Sequence, residues 1–289
     1  DSDTRDKILN NCVGEEREQT QKLIRPILRG RDVKRYDYEW AGLWLINIHN
    51  GYDTKPRINI DNFPKLKLYL DKFEPQLSTR SDKGVTPYNL RNCAYLDEFE
   101  KEKILCARMV QSPKFAYDIN NNIPDNTAYC ITGENLKFLL AFLNSTAVYK
   151  IFNFFYAGGG LEGEIKINRL EIFPIPQITP QNENLANEII NLVDEILKAN
   201  EKIKLYEKHM ATLTLDEKLE AKENIDTLND KIKASDEKIN KLVFELYELT
   251  SNEIALITGG GSESIAKIYI YILQRGENEP IRALLQSAA

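Results

Sequence analysis

The chain has 289 residues, enough for one large domain or two ordinary ones. Its hydrophobic content of 42% supports a folded core and excludes a disordered chain. A net charge of −6 argues against nucleic-acid binding until it is divided: residues 1–180 hold 25 basic and 24 acidic side chains, which leaves 13 and 20 for 181–289.

In chain order, residues 1–21 are polar and charged and read as an N-terminal arm or helix. Between residues 22 and 35, Lys22, Arg25, Arg29, Arg31, Lys34 and Arg35 face a single acid, Asp32. Such a run is either a phosphate-attracting patch or a solvated surface. Trp44, Ile46 and Ile48 alternate as one face of a strand, with Leu43 and Leu45 on the other. His49 is expected as a hydrogen-bonded residue at its end. Leu66, Leu68, Tyr69, Leu70 and Phe73 mark a helix, followed by a Gly/Pro-containing loop over residues 80–91. Asp97, Glu98, Glu100 and Glu102 read as a solvated loop or helix face. Residues 103–110 and 114–118 predict a hairpin of strands. Asn120–Asn122 and Pro124–Asn126 mark the turns into a further strand, TAYCIT.

Leu136, Leu139, Leu140, Leu143 and Ala147 keep helical spacing and lead into Gly158, Gly159, Gly160 and Gly163. The glycines form a G-x-G-x-x-G, but a dinucleotide site needs a strand before it and a helix after it. Here a helix precedes, and Glu164–Ile167 alternates like a strand that ends before Pro174 and Pro176. The run therefore reads as a helix end with a tight turn, or as backbone able to approach a phosphate closely.

FPIPQITP is a stiff exit. Beyond it Ile189, Val193, Ile196 and Ile203 mark one helix, and Thr214–Glu217 carries the capping-box pattern of another. Ile225, Leu228, Ile232, Ser235, Ile239, Leu242 and Leu246 step alternately by 3 and 4, a heptad seam. The short link predicts an antiparallel hairpin roughly 50 Å long. Gly259–Ser262 resembles a linker, and the segment to residue 289 is set aside as native or appended. The expected class is α+β, divided as arm 1–21, mixed domain 22–178, helical hairpin 179–258 and tail 259–289.

Catalytic signatures are sparse. There is no G-x-S-x-G, no phosphate-loop motif, no H-E-x-x-H and no N-P-P-Y/F. His49 and His209 are the only histidines, and Cys12, Cys93, Cys106 and Cys130 are scattered, as buried reduced thiols are. Asp125 with Glu164 and Lys166 can be arranged as an acid-x-Lys nuclease pattern, at long separation. Asn144-Ser145-Thr146 is a glycosylation acceptor only if exposed. The start at Asp1 suggests a fragment of something larger, without catalysis, cofactor or metal of its own. With no bilayer-length apolar run and no signal peptide, the expected location is cytoplasmic, with no membrane contact.

Several segments, in this order, resemble a known family: LIRPILRGRDVKRYDYE (23–39), STRSDKGVTPYNLRNC (78–93), KILCARMVQSPKFAYD (103–118), LLAFLNSTAVYKIF (139–152), the glycine run with FPIP, and INKLVFELYELTSNEIALI (239–257). The chain resembles the TaqI-like C-terminal specificity domain of adenine-specific DNA methyltransferases and type IIG restriction–modification enzymes. Two departures are Tyr88, where that pattern often has Trp, and a longer helical insertion around residues 206–228. The resemblance implies double-stranded DNA as partner and an N-terminal methyltransferase domain in the parent chain. It also implies S-adenosylmethionine for that parent, with Mg²⁺ if it cleaves. Under it, Arg29, Arg31, Lys34 and Arg35 supply phosphate contacts. Arg80, Lys83, Tyr88, Asn89 and Arg91 contact bases or backbone, and Gly158, Gly159 and Gly160 either turn the chain or approach a phosphate. The competing expectation is an assembly module in which the hairpin joins subunits by self-association.

Overall fold

The computed structural model describes residues 1–109, 111–156, 165, 167–259, 268–269, 272 and 278–280. Helix α1 (Ser2–Asn11) starts where the Asp1 carboxylate accepts the Thr4 N–H at 2.8 Å. Helix α2 (Gly14–Leu23) runs directly into strand β1 (Ile24–Leu28). Strand β2 (Trp44–Ile46) pairs antiparallel with β1, in the register Ile24↔Ile46 and Pro26↔Trp44. Its alternation sends Trp44 and Ile46 to a cluster around Ile8, Leu9, Ile24, Ile48 and Leu66. Leu45 goes to a second cluster with Leu96 and Phe99. Both faces are therefore covered. His49 ends this run, its Nδ1 accepting the Gly51 N–H at 3.2 Å.

The helix expected near Leu66 is α3 (Pro64–Leu70), opened by a proline in the first turn and continued after a 3₁₀ turn by α4 (Glu74–Thr79). In the second sheet β3 (Lys103–Ala107) lies between β4 (Phe115–Asp118) and β6 (Ala128–Ile131), antiparallel to both. Every residue of β3 is buried. That includes Lys103, whose ammonium lies 2.7 Å from the equally buried Asp118 carboxylate and donates to the Phe99 carbonyl at 2.8 Å. Between the sheets, β5 (Ile123–Pro124) pairs in parallel with β1. The turn before it is made by Asn121 at φ +56°, a backbone state asparagine tolerates.

The single helix expected after residue 135 is two: α5 (Leu136–Asn144) and α6 (Thr146–Tyr156). Polar contacts mark the break. Asn144 is fully buried, and its carboxamide accepts the Phe115 N–H at 3.1 Å and donates to the Phe115 carbonyl at 2.9 Å. That burial removes Asn144 as a glycan acceptor. Of the strand expected at 164–167, Ile165 lies in no strand and Ile167 opens the short helix α7 (Ile167–Leu170), while Glu164 and Lys166 lie outside the described residues. Four alternating residues are too few to outweigh tertiary context. Ile165 is held by its N–H on the Arg108 carbonyl at 2.8 Å. Pro174 and Pro176 are themselves in a strand, β7 (Pro174–Pro176).

Helices α8 (Glu183–His209) and α9 (Leu215–Leu246) form the hairpin. Lys238 meets Glu188 at 2.5 Å and Lys231 meets Glu195 at 3.7 Å, so the two run antiparallel. The capping box is present: Thr214 N–H donates to the Glu217 carboxylate at 2.8 Å, and the hydroxyl of Thr214 faces the Glu217 N–H. The seam is closed at Ser235, Ile239 and Leu242 and half-open at Ile225, Leu228 and Ile232. After α10 (Ser251–Gly259), Ile268 and Ile272 are buried in the main core. Strand β8 (Asn278–Pro280) pairs antiparallel with β7. The fold is α+β, with two small three-stranded sheets, a two-stranded pair and a long helical pair among the described residues.

Candidate nucleic-acid interface

The residues singled out in the sequence separate into those held inside the fold and those left open. Arg29 is held. Its Nε and Nη2 donate to the two oxygens of Asp32 at 2.9 and 2.7 Å, and its own N–H donates to the same carboxylate at 2.9 Å. This fork closes the 3₁₀ turn Gly30–Asp32, and it is the first cause that lowers the pKa of Asp32. Arg35 Nη2 donates to both oxygens of Asp236 on α9, at 2.7 and 2.8 Å. Lys34 is looser, 3.4 Å from the exposed Glu39. Of the cluster's outer members, Arg25 pairs with Glu100 at 3.4 Å and donates to the Asn121 carbonyl at 2.9 Å. Arg31 is exposed, and no hydrogen bond or ion pair engages it among the described residues.

The 80–91 loop is built by its own polar side chains. Arg80 donates to the carbonyls of Pro87 and Asn89 at 3.0 and 2.6 Å. Asn89 is 1% exposed, and its amide donates to the His49 and Ile58 carbonyls at 3.3 and 3.0 Å. Tyr88 donates to Asp71 at 2.6 Å, which raises the pKa of its hydroxyl, and Lys83 donates to the Ser78 carbonyl. Gly84 lies so close to the Leu90 carbonyl and the Asn50 side chain that a Cβ would sit 2.5 and 2.7 Å from them. Arg91 projects from this framework exposed and unpaired among the described residues. Gly158, Gly159 and Gly160 lie outside the described residues, as do Glu164 and Lys166.

A groove of about 520 Å³ lies where β1, β3 and the β5–β6 turn end together. Arg29, Gly30, Arg31, Arg108, Met109, Asp125, Asn126 and Thr127 line it. Gly30 has no room for a side chain: a Cβ there would stand 2.2 Å from the Thr127 carbonyl oxygen. The groove draws together the 22–35 segment and the end of β3, where the Arg108 carbonyl also holds Ile165. Arg31 brings to it a guanidinium unengaged among the described residues, and Asp125 sets a carboxylate among its polar and apolar lining side chains.

Residues 25–175 match the family of TaqI-like C-terminal specificity domains. The chain belongs to that family. The groove and the 80–91 loop of this specificity domain both fall inside the matched stretch. No curated protein matches the chain. Among the described residues no group of three or more His, Cys, Asp or Glu side chains is placed to hold a metal ion. No helix among them is long and apolar enough to cross a membrane. All four cysteines are free thiols, and burial pushes Cys106 up to about 12 and Cys130 to about 11. Sequence reasoning did not single out Arg108, Met109 or Asn126. The available signal was positional: each stands one or two residues past a strand end, where side chains leave the core.

Proposed function

We propose that the chain is the target-recognition part of a DNA restriction–modification enzyme, reading double-stranded DNA beside an adenine-N6 methyltransferase domain of the same parent chain. On this reading it is non-catalytic itself, and S-adenosylmethionine belongs to the methyltransferase domain. The family match over residues 25–175 carries the proposal. The distribution of cations supports it: Arg31 and Arg91 stay open at the surface, while Arg29, Arg35 and Arg80 are engaged by the protein. Phosphate contacts orient a protein on the duplex and base contacts select the sequence, and the two open cations, Arg31 and Arg91, are assigned to the backbone.

Duplex binding by the 289-residue chain across a salt series tests this. Arg31→Ala and Arg91→Ala should each reduce the slope of log K against log salt by about 0.9, one released counterion apiece. Arg29→Ala and Arg35→Ala should lower thermal stability without changing that slope. Unchanged slopes for Arg31→Ala and Arg91→Ala would remove both residues from the interface.

One observation favours a second role for the hairpin. Leu205, Leu215 and Leu219 are exposed at its tip, beside a groove of about 570 Å³ lined by Tyr206, His209 and Leu213. On that reading the tip mediates self-association. Sedimentation over a concentration range should show a dimer that Leu219→Glu abolishes, and a monomer throughout would discard it.

A further inference from the structure

The groove between Arg31, Met109 and Asn126 supports a more specific assignment, which rests on the DNA-reading proposal. Three turns meet there, and Thr127 ties them together. Its hydroxyl accepts the Gly30 N–H at 2.8 Å and donates to Asp125 at 2.5 Å, and its carbonyl accepts the Arg108 N–H at 2.9 Å. The Asp125 N–H is held in turn by the Leu28 carbonyl at 2.9 Å. The floor of the groove is thus cross-braced by the protein's own hydrogen bonds, as a reading surface should be.

Two side chains on this floor are left exposed. Met109 is 51% exposed, although it lies two residues beyond a strand that is buried at every position. Asn126 is exposed, and its carboxamide has no hydrogen-bond partner among the described residues. The contrast with Asn89 is direct, because that amide is fully engaged in holding two backbone carbonyls. A free carboxamide matches the N7 acceptor and N6 donor of adenine in the major groove. An exposed, flexible thioether side chain suits the thymine methyl group. Arg31 on the rim supplies the positive charge that brings a phosphate backbone alongside.

We infer that Asn126 and Met109 are base-reading residues, and that together they select an A·T pair in the target. The 80–91 loop then contributes backbone contact through Arg91.

The test is selection of duplexes from a random pool by the 289-residue chain, alongside Asn126→Ala, Asn126→Asp, Met109→Ala and Arg91→Ala. All three positions are exposed at the surface, and a thermal melt of each of the four variants verifies folding. The parent should enrich a motif containing an A·T position. Asn126→Ala should lower the preference there by roughly five- to 150-fold, the range for one bidentate contact. Asn126→Asp should turn the preference from adenine toward cytosine, whose exocyclic amine a carboxylate accepts. Met109→Ala should relax the thymine at that pair or its neighbour, and Arg91→Ala should weaken binding with the motif intact. If both Asn126 variants keep the parental motif while Arg91→Ala erases it, the assignment is overturned and DNA reading stands. A parent that binds duplexes with no salt dependence and enriches no motif would overturn both.

Discussion

Arg29 and Arg31 stand two positions apart in one basic run and do different work. Arg29 is folded onto Asp32, whereas Arg31 faces outward from the same turn. The pair gives a pH signature. Asp32 titrates lower in the fold than in the unfolded chain, chiefly because of the Arg29 hydrogen bonds. Its contribution to stability is therefore complete above the ordinary aspartate value of about 3.9 and is lost as pH falls through the lowered folded value. Thermal midpoints of Arg29→Ala and its parent should differ at pH 7 and converge as the pH drops below that range. A gap that stays constant into acid would contradict this account of the turn. At Gly30 the constraint is steric: a Cβ would overlap the Thr127 carbonyl, so Gly30→Ala should cost about 1–3 kcal/mol in urea unfolding. Lys103 is a case of buried charge. Lys103→Met would leave the Asp118 carboxylate at zero exposure without its counter-charge, held by hydrogen bonds from Tyr38, Asn120 and Asn122, at a cost of about 3–5 kcal/mol.

Elements repeat the lesson with periodicity in place of charge. The 3/4 stepping along α9 marks the right face, but the residues of that face are unequally covered. Ile239 is 0% exposed, while Ile232 is half-buried toward the open end of the hairpin. Ile239→Asp should therefore destabilise by several kcal/mol, and Ile232→Asp by clearly less, in matched denaturant titrations. Equal losses would mean that the seam is closed along its whole length. The break between α5 and α6 shows the reverse situation. Local spacing favours one continuous helix, and a long-range pair of hydrogen bonds from Asn144 to Phe115 accompanies its ending there. In the 80–91 loop, composition suggested a surface rich in recognition groups. Most of those groups prove to be the struts of the loop, because a segment with little regular ladder must satisfy its backbone by other means.

Across the whole molecule, the hairpin is tied to the mixed sheets rather than trailing behind them. Arg35 reaches Asp236, Lys137 reaches Asp194 at 2.6 Å, and the Thr146 N–H donates to Asn240 at 2.8 Å. The acidity of residues 181–289 thus supplies partners for cations of the first part. The tail also belongs to the packing, since Ile268 and Ile272 are buried and β8 pairs with β7. Ending the chain after Gly259 should therefore lower the melting temperature, and an unchanged melt would show that these contacts contribute nothing. The sequence alone determined the α+β class, the helical hairpin with its Thr214 cap, the alternation through Trp44 and Ile46, and the order of segments shared with the specificity-domain family. The first three signals are local, carried by spacing, turn residues and caps within a few positions of one another, and the last is the order of such segments along the chain. Tertiary structure alone decided which arginines face outward, where α5 ends, that Asn89 is a strut and Asn126 is open, and that three turns converge at Thr127. Most of those outcomes depend on a partner tens to hundreds of residues away, as Asp236 is for Arg35 and Thr127 is for Gly30, although Arg29 and Arg80 are engaged by groups within ten positions. A side chain's freedom to meet a ligand is set by whether the fold has already engaged it, and that is a property of contacts rather than of neighbours in the chain.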